Sequence, residues 1–321
     1  MEKTINIINP GSLSNSLTLT EKSSITKLKI TGYIDARDFR CMRDELPLLN
    51  DLDLFQTTVK AYNGTGGTYY WVETYPYLDN EIPIQCFVRV NMTSGIDIRR
   101  SESLLTRLIL PNTITYIADS AFTYHSGLKE IIIPDSVIKI GVGSFEKCTG
   151  LEFISIGKNV IELGNQSFMN CNHLNTILCK PIIPPIALST TFYGSYTNTS
   201  TYNCPIVYVP DQSIDLYNIA DGFFYYHSYI HPQTNKYIIG IKGLSTYQGN
   251  YPVLPGGSLG TSGTGGTSGT GGTSGTGGTS GTIESSSGSG GTSGTSGSSS
   301  RKKTLFTNRS SNNKIITIRY F

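Results

Sequence analysis

The sequence predicts an α/β solenoid of short parallel strands wound into stacked coils. The coils are capped at both ends and followed by a disordered linker and a β-prone tail. Two observations carry this. An apolar pattern repeats every 23 residues, with Leu105, Leu128, Leu151 and Leu174 in one register, Leu108, Ile131, Ile154 and Ile177 in the next, and Leu110, Ile133, Ile156 and Cys179 in a third. Each unit then continues past a turn residue (Pro111, Pro134 or Gly157) to Ile114/Val137/Val160, Ile117/Ile140/Leu163 and Phe122/Phe145/Phe168. A unit this short cannot bury its apolar face alone, but stacking neighbours buries a continuous core.

Composition sets the bounds. Of 35 glycines, 18 fall in residues 256–300, so the remaining chain has ordinary globular content. The net charge of +2 is uneven: residues 301–321 hold six Lys/Arg and no acid, leaving 19 basic against 23 acidic residues elsewhere. A slightly acidic body argues against nucleic acid as a partner, which wants a basic face. Six cysteines without a C-x-x-C pair are not a disulfide scaffold. No apolar run reaches the length of a membrane span. Residues 1–10 carry no apolar signal-peptide core, which leaves an internal protein or a mature form open.

Taken in order, residues 1–24 read as an N-terminal cap: strand-like Ile5, Ile7 and Ile8, a Pro10-Gly11 turn, then Leu13, Leu17 and Leu19 on an amphipathic piece. A solenoid needs such a cap to keep its first apolar edge out of water. The solenoid, 25–231 with its C-terminal cap, opens at Ile25-x-x-Leu28-x-Ile30, and a second unit opens at Leu49-x-x-Leu52-x-Leu54. Between them, residues 35–45 read as a helix with Asp35 as N-cap and Phe39 and Met42 on one face. In the second unit the Phe-equivalent is Phe87, pushed back by an insertion at 60–80 holding Tyr62, Tyr69, Tyr70, Trp71, Tyr75 and Tyr77. Beyond Ile177 the pattern loosens through Pro-rich 182–185, with Phe192 spaced 24 residues after Phe168. A strand at 205–209, a helix start at Pro210-Asp211 and the apolar Ile214, Tyr217 and Ala220 form the closing cap, and the extension 232–255 holds a strand at 236–241.

Residues 256–300 are a Gly/Ser/Thr linker with nothing to offset ordering entropy. As a coil it spans roughly 35–40 Å. The basic tail, 301–321, ends in a β-prone run in which Ile316, Ile318 and Tyr320 share a face. A lone strand is unstable, so the run either pairs with something or opens a further domain.

The quoted units LTRLILPNTITYIADSAFTYHSG, LKEIIIPDSVIKIGVGSFEKCTG and LEFISIGKNVIELGNQSFMNCNH resemble the leucine-rich repeats of the BspA-like type. GYIDARDFRCMRDELPLLNDLDL and NEIPIQCF resemble the N-terminal module of Bacteroidetes members, and NCPIVYVPDQSIDLYNIADGF their closing segment, so the likeness covers roughly 4–231. Gly157 in place of the usual Pro, the Ser and Gln around Phe168, and the linker and tail depart from it. The resemblance implies a secreted or cell-surface solenoid that binds protein or glycan ligands in adhesion. It supplies no catalytic residues.

Candidate sites are weighed residue by residue. Cys148 and Cys171 occupy equivalent places in adjacent coils, close enough for a disulfide, but a buried ladder of free thiols is the preferred reading. His227-x-x-x-His231 has metal-binding spacing but lacks the Glu of H-E-x-x-H, and Pro232 ends the helix. Gly256-Gly257-Ser258-Leu259-Gly260 matches G-x-S-x-G inside a flexible linker, where a strained strand–helix turn cannot form. Asp51 and Asp53 read as solvated strand positions. No metal, cofactor or catalytic residue is assigned. Ligand-binding candidates fall in two groups. Tyr69, Tyr70, Trp71, Tyr75 and Tyr77 of the insertion are either a recognition site or a structural flap, because Trp and Tyr dominate binding hot spots. Arg107, Ile109, Glu130, Ile132 and Phe153 point outward from the sheet with Ser155, Thr176 and Leu178; they form either an interface or a row covered by its neighbours. The leading function is a non-catalytic recognition or adhesion module; the alternative is a structural or assembly component of a virion or appendage.

Overall fold

The computed structural model describes residues 1–69, 71–72, 74–91, 98–100, 105–195, 205–225, 237–238, 240–249, 307–309 and 315–317. The chain divides into two compact units, Met1–Thr261 and Ser262–Phe321.

The first unit is built on parallel ladders. Glu2–Ile7, Lys27–Ile34, Asp51–Val59 and Arg107–Ile109 form one. Glu130–Ile132, Phe153–Ile156, Thr176–Cys179, Ile206–Val209 and Gly240–Gly243 form another. The two adjoin where Arg107–Ile109 lies beside Glu130–Ile132. A third ladder joins Glu81–Ile82, Tyr116–Ile117, Lys139–Ile140 and Glu162–Leu163, extended by a bridge from Glu162 to Ile186. The partners Glu130–Phe153–Thr176 stand 23 residues apart, so the sequence period is the strand register. Leucine-rich sequence thus folds here as a repeat of parallel strands, with alternate side chains on opposite faces.

The inward registers read from the sequence are buried, from Ile25, Leu28 and Ile30 through Ile177. Between the ladders runs a column of rings: Phe87, Phe122, Phe145, Phe168, Phe192 and Phe223, with centroids 5.9, 5.1, 5.2, 5.4 and 5.9 Å apart. Phe39 meets Phe87 edge-on at 6.2 Å and joins the helix to the column. Phe87 and Phe192 therefore hold the places that their spacing assigned them. Burial of each ring is worth about 1.5–3 kcal/mol, and stacking adds about 0.5–1.5 kcal/mol.

The helix Ala36–Asp44 is capped by Asp35, whose carboxylate accepts from Arg37 N at 2.9 Å, while Asp38 reaches back to Asp35 N at 2.9 Å. Asp38 also accepts from Gly11 N at 2.6 Å and Leu13 N at 2.9 Å. One carboxylate thereby closes the helix start and fastens the N-terminal turn, where Gly11 has a φ of 82°. Leu13 and Leu17 are buried, but Leu19 is exposed, because it opens the helix Leu19–Ser24 with its side chain turned to solvent. At Gly157 an added Cβ would sit 2.2 Å from the Pro134 carbonyl oxygen, so this coil approaches its neighbour closer than a side chain allows.

Toward the C-terminal side, Asp211–Ser213 is a single 3-10 turn leading into Ile214–Tyr217. Tyr217 is buried edge-on against Phe223 at 5.0 Å and donates to the Pro181 carbonyl at 2.8 Å. The strand expected at 236–241 is divided: Tyr237–Ile238 pairs antiparallel with Phe224–Tyr225, and Gly240–Gly243 pairs parallel with Ile206–Val209. In the second unit Thr307–Arg309 pairs antiparallel with Ile315–Thr317, which gives the β-prone run a partner within the tail; Ile318 and Tyr320 lie outside the described residues.

Candidate recognition surfaces

The insertion is a clamped loop. Tyr62–Gly64 pairs antiparallel with Tyr75–Tyr77. The rings then pack on one another: Tyr62 on Tyr77 at 6.2 Å, Tyr77 on Tyr75 at 4.8 Å, and Tyr75 on Tyr69 at 5.1 Å. The Arg37 guanidinium lies 4.4 Å above the Tyr62 ring. Tyr77 Oη accepts from Tyr69 N at 2.8 Å, and Thr68 Oγ1 donates to the Ile84 carbonyl at 2.6 Å. Arg43 Nη1 donates to the carbonyls of Thr68 at 2.8 Å and Gln85 at 3.1 Å.

This network splits the candidate residues of the insertion. Tyr77 is buried, and its hydroxyl accepts from the loop's own backbone, as the flap alternative requires. Tyr69 and Tyr75 are half-buried in the tyrosine pack. Trp71 and Val72 are 46% and 48% exposed. Tyr70 lies outside the described residues. Burial and the carboxylates of Glu81 and Asp119 push the Tyr75 phenol above its ordinary pKa. Glu81 is the register partner of Tyr116, whose hydroxyl donates to Asp119 Oδ1 at 3.2 Å. Tyr75 thus lies near enough to Glu81 and Asp119 to feel their charge.

On the sheet face, Arg107 and Glu130 are exposed, and Ile132, Phe153 and Thr176 are half-buried. Ile109, Ser155 and Leu178 are buried, at 8%, 2% and 0% exposure, in keeping with the alternative of a row covered by its neighbours. Parallel strands stand about 4.8 Å apart, so each aliphatic side chain leans on the next. A further cover comes from Tyr247, whose ring lies 5.0 Å from Tyr208 and 6.5 Å from Phe153. Asp51 and Asp53 are half-buried and paired, with Arg107 at 2.7 Å and Lys29 at 3.8 Å, so they are not freely solvated. Such exposed pairs contribute about 0–1 kcal/mol each. They leave this end of the sheet face charged and the other end apolar.

Cys148 and Cys171 are free thiols, and both are buried. Cys148 Sγ donates to the Phe122 carbonyl at 3.1 Å and Cys171 Sγ to that of Phe145 at 3.2 Å, while Ser195 does the same to Phe168. His125 holds the equivalent place one coil earlier, with Nδ1 donating to Phe122 O at 2.9 Å. These residues satisfy the carbonyls beside the phenylalanine column. Burial pushes the Cys148 thiol up to about 12 and the His125 imidazole down to about 4.

Among the described residues no group of three or more His, Cys, Asp or Glu could hold a metal ion, and no helix is long and apolar enough to cross a membrane. His227, His231 and the Gly256–Gly260 motif lie outside the described residues. Sequence reasoning missed Tyr247 and Tyr208, which lie beyond the periodic stretch, and the acids Glu81 and Asp119 beneath the insertion. For Tyr208 a signal existed, since it follows Leu178 in register along the outward row.

Parallel strands in 23-residue register, a buried aliphatic lattice and a column of phenylalanines form a repeat fold. Residues 100–231 match the BspA type leucine rich repeat region in six copies. No curated protein matches the chain.

Proposed function

We propose that the protein is a non-catalytic recognition module that binds protein or glycan ligands at a bacterial surface. In this reading, residues 25–231 are one leucine-rich-repeat solenoid with a cap at 1–24 and a closing cap before the 232–255 extension. Residues 256–300 tether this head to the tail at 301–321. The secreted or cell-surface location follows from the BspA-type repeats, a class usually found there. The observation that carries the binding role is the exposed Trp71-Val72 pair on a loop whose base is fixed by Arg43, Thr68 and Tyr77. An exposed tryptophan offers a large apolar surface with few rotatable bonds, and tryptophan is among the commonest hot-spot residues. The test is a glycan and extracellular-matrix array probed with wild type and Trp71→Ala. Saturable binding lost in the variant supports the reading, and absence of saturable binding to either class overturns it.

An assembly component is the second reading. It is favoured by three exposed isoleucines stacked at the rim of the Glu81–Leu163 ladder: Ile138, Ile161 and Ile186, at 45%, 61% and 64% exposure. Backbone bonds from Ile161 N to Ile138 O and from Ile186 N to Ile161 O hold them in line. A second copy of the chain is the partner this reading requires. Sedimentation of wild type against Ile161→Lys decides it, because a wild type that stays monomeric removes it.

A further inference from the structure

We propose that copies of this chain associate head to tail, the edge strand Glu2–Ile7 of one copy pairing in parallel with the edge strand Gly240–Gly243 of the next. Both strands end parallel ladders. Each has one neighbour, Lys27–Ile34 for the first and Ile206–Val209 for the second. Such a strand presents a row of unpaired N–H and C=O groups, which natural edges blunt with proline, bulges or cover. Glu2–Ile7 has no proline, and its register with Lys27–Ile34 runs without a bulge.

The bonds at the strand starts show which way each main-chain group points. Lys27 N donates to Met1 O at 3.3 Å, Asp51 N to Thr26 O at 3.1 Å, Arg107 N to Asn50 O at 3.2 Å and Ile206 N to Asn175 O at 2.9 Å. Residues of the outward row thus bond the preceding strand, and the residues between them bond the following one. Carried to the two ends, this aims Glu2, Thr4 and Asn6 at a preceding strand, and Ile241 and Gly243 at a following strand, that the chain does not supply among the described residues. No other described group bonds the main chain of Glu2, Thr4 or Asn6, and Gly243 O accepts from Thr246 Oγ1 at 2.7 Å, which leaves it a second lone pair. The two edges therefore match in direction and in phase.

Charge selects the register. Glu2, Lys27, Asp51 and Arg107 are register partners, so the sign alternates strand by strand along this outward row. Glu2 and Lys242 are exposed charges on the two end strands, and neither has an ion-pair partner among the described residues. Lys242 set beside Glu2 carries the alternation one strand further. In that register Glu2 N meets Ile241 O, Gly243 N meets Glu2 O, and Thr4 N meets Gly243 O. The contact joins two different surfaces, so it adds copies in a row rather than closing as a symmetric dimer.

This inference goes beyond the recognition reading and uses other groups than the isoleucine rim, so neither the array nor Ile161→Lys decides it. Sedimentation of the full chain at up to about 1 mM is expected to give an average mass that keeps rising past the dimer. Thr4→Pro removes an N–H on the open side alone, where edge strands tolerate proline, and should weaken association at least about tenfold. Glu2→Lys and Lys242→Glu should each weaken it about threefold or more. Mixing those two variants should restore a one-to-one pair, because each then offers the charge the other lacks. Circular dichroism melting verifies that every variant is folded. A monomeric wild type, association that stops at a dimer, or folded edge variants that associate like wild type would each overturn the proposal. So would dispersal by Ile161→Lys with none by Thr4→Pro, which would assign assembly to the rim.

Discussion

Arg43 and Thr68 are joined by a hydrogen bond of 2.8 Å from a guanidinium with 1% side-chain exposure to a main-chain carbonyl, linking the helix Ala36–Asp44 to the insertion. The same nitrogen reaches Gln85 O, so one side chain ties together the helix, the insertion and the segment that follows Glu81–Ile82. Replacing Arg43 with Met removes the donor of the Thr68 carbonyl and leaves the Gln85 carbonyl with Val88 N. The expected loss is about 1–3 kcal/mol. Hydrogen exchange should rise at Thr68 and Tyr69 while the coils from Leu128 to Leu174 keep their protection; unchanged exchange at the insertion would show that Arg43 does not clamp it.

The phenylalanine column predicts a position-dependent cost. Phe145 lies between Phe122 and Phe168 at 5.1 and 5.2 Å, with no exposure. Phe145→Ala should destabilise by about 3–5 kcal/mol in a denaturant melt. A loss below about 1 kcal/mol would mean that the column does not support the fold.

His125 predicts an acid-sensitive term. Its imidazole is buried neutral and held down to about 4, against 6.5 for the free side chain. The unfolded chain therefore binds a proton that the folded chain refuses between those values. The contribution is fully present above pH 6.5 and is lost as pH falls toward 4, a change of about 3 kcal/mol. His125→Cys, which installs the residue used one coil later at Cys148, should flatten stability against pH in this window. Parallel curves for the two proteins would exclude His125 as the source.

The thiols predict inertness. Burial raises Cys41, Cys148 and Cys179 to about 12 and pushes Cys86 and Cys171 well up. Thiolate is the reactive form, so at pH 8 the folded protein should leave these five unmodified by Ellman's reagent over minutes, and denaturant should release all six cysteines. Their stabilising effect is complete below the unfolded thiol pKa and fades as pH rises through the folded value. Fewer than six free thiols after unfolding would reveal a disulfide.

Two tyrosine-loop variants separate support from recognition. Tyr77→Phe strands the Tyr69 N–H and should cost about 1–3 kcal/mol. Trp71→Ala, at an exposed position, should change stability by less than about 0.5 kcal/mol. Thermal melts measure both, and a large loss in Trp71→Ala would make the loop a flap.

The registers of Leu105, Leu108, Leu110, Ile117 and Phe122 were legible because a stacked repeat imposes the same environment on the same position every 23 residues. The period also located Phe87 and Phe192 across irregular spacing. The cap at Asp35 was legible because its chemistry is local. The candidate surfaces were less so. Tyr77 and Trp71 are both aromatics in one glycine-bearing loop, and only the bond from Tyr69 N to Tyr77 Oη tells the brace from the exposed ring. Ile109 and Ile132 occupy equivalent outward places, yet the first is buried and the second half-buried.

The sequence by itself determined the repeat, its inward faces, the helix after the first unit and the buried column, because all of these follow from short-range periodicity and capping. Only the tertiary structure decided which outward residues meet solvent. The cover beside Phe153 and Tyr208 includes Tyr247, 94 and 39 positions later, and fixation of Thr68 depends on Arg43, 25 positions earlier. Such contacts join residues that share no period, and they arise from where the chain returns after its regular coils are built.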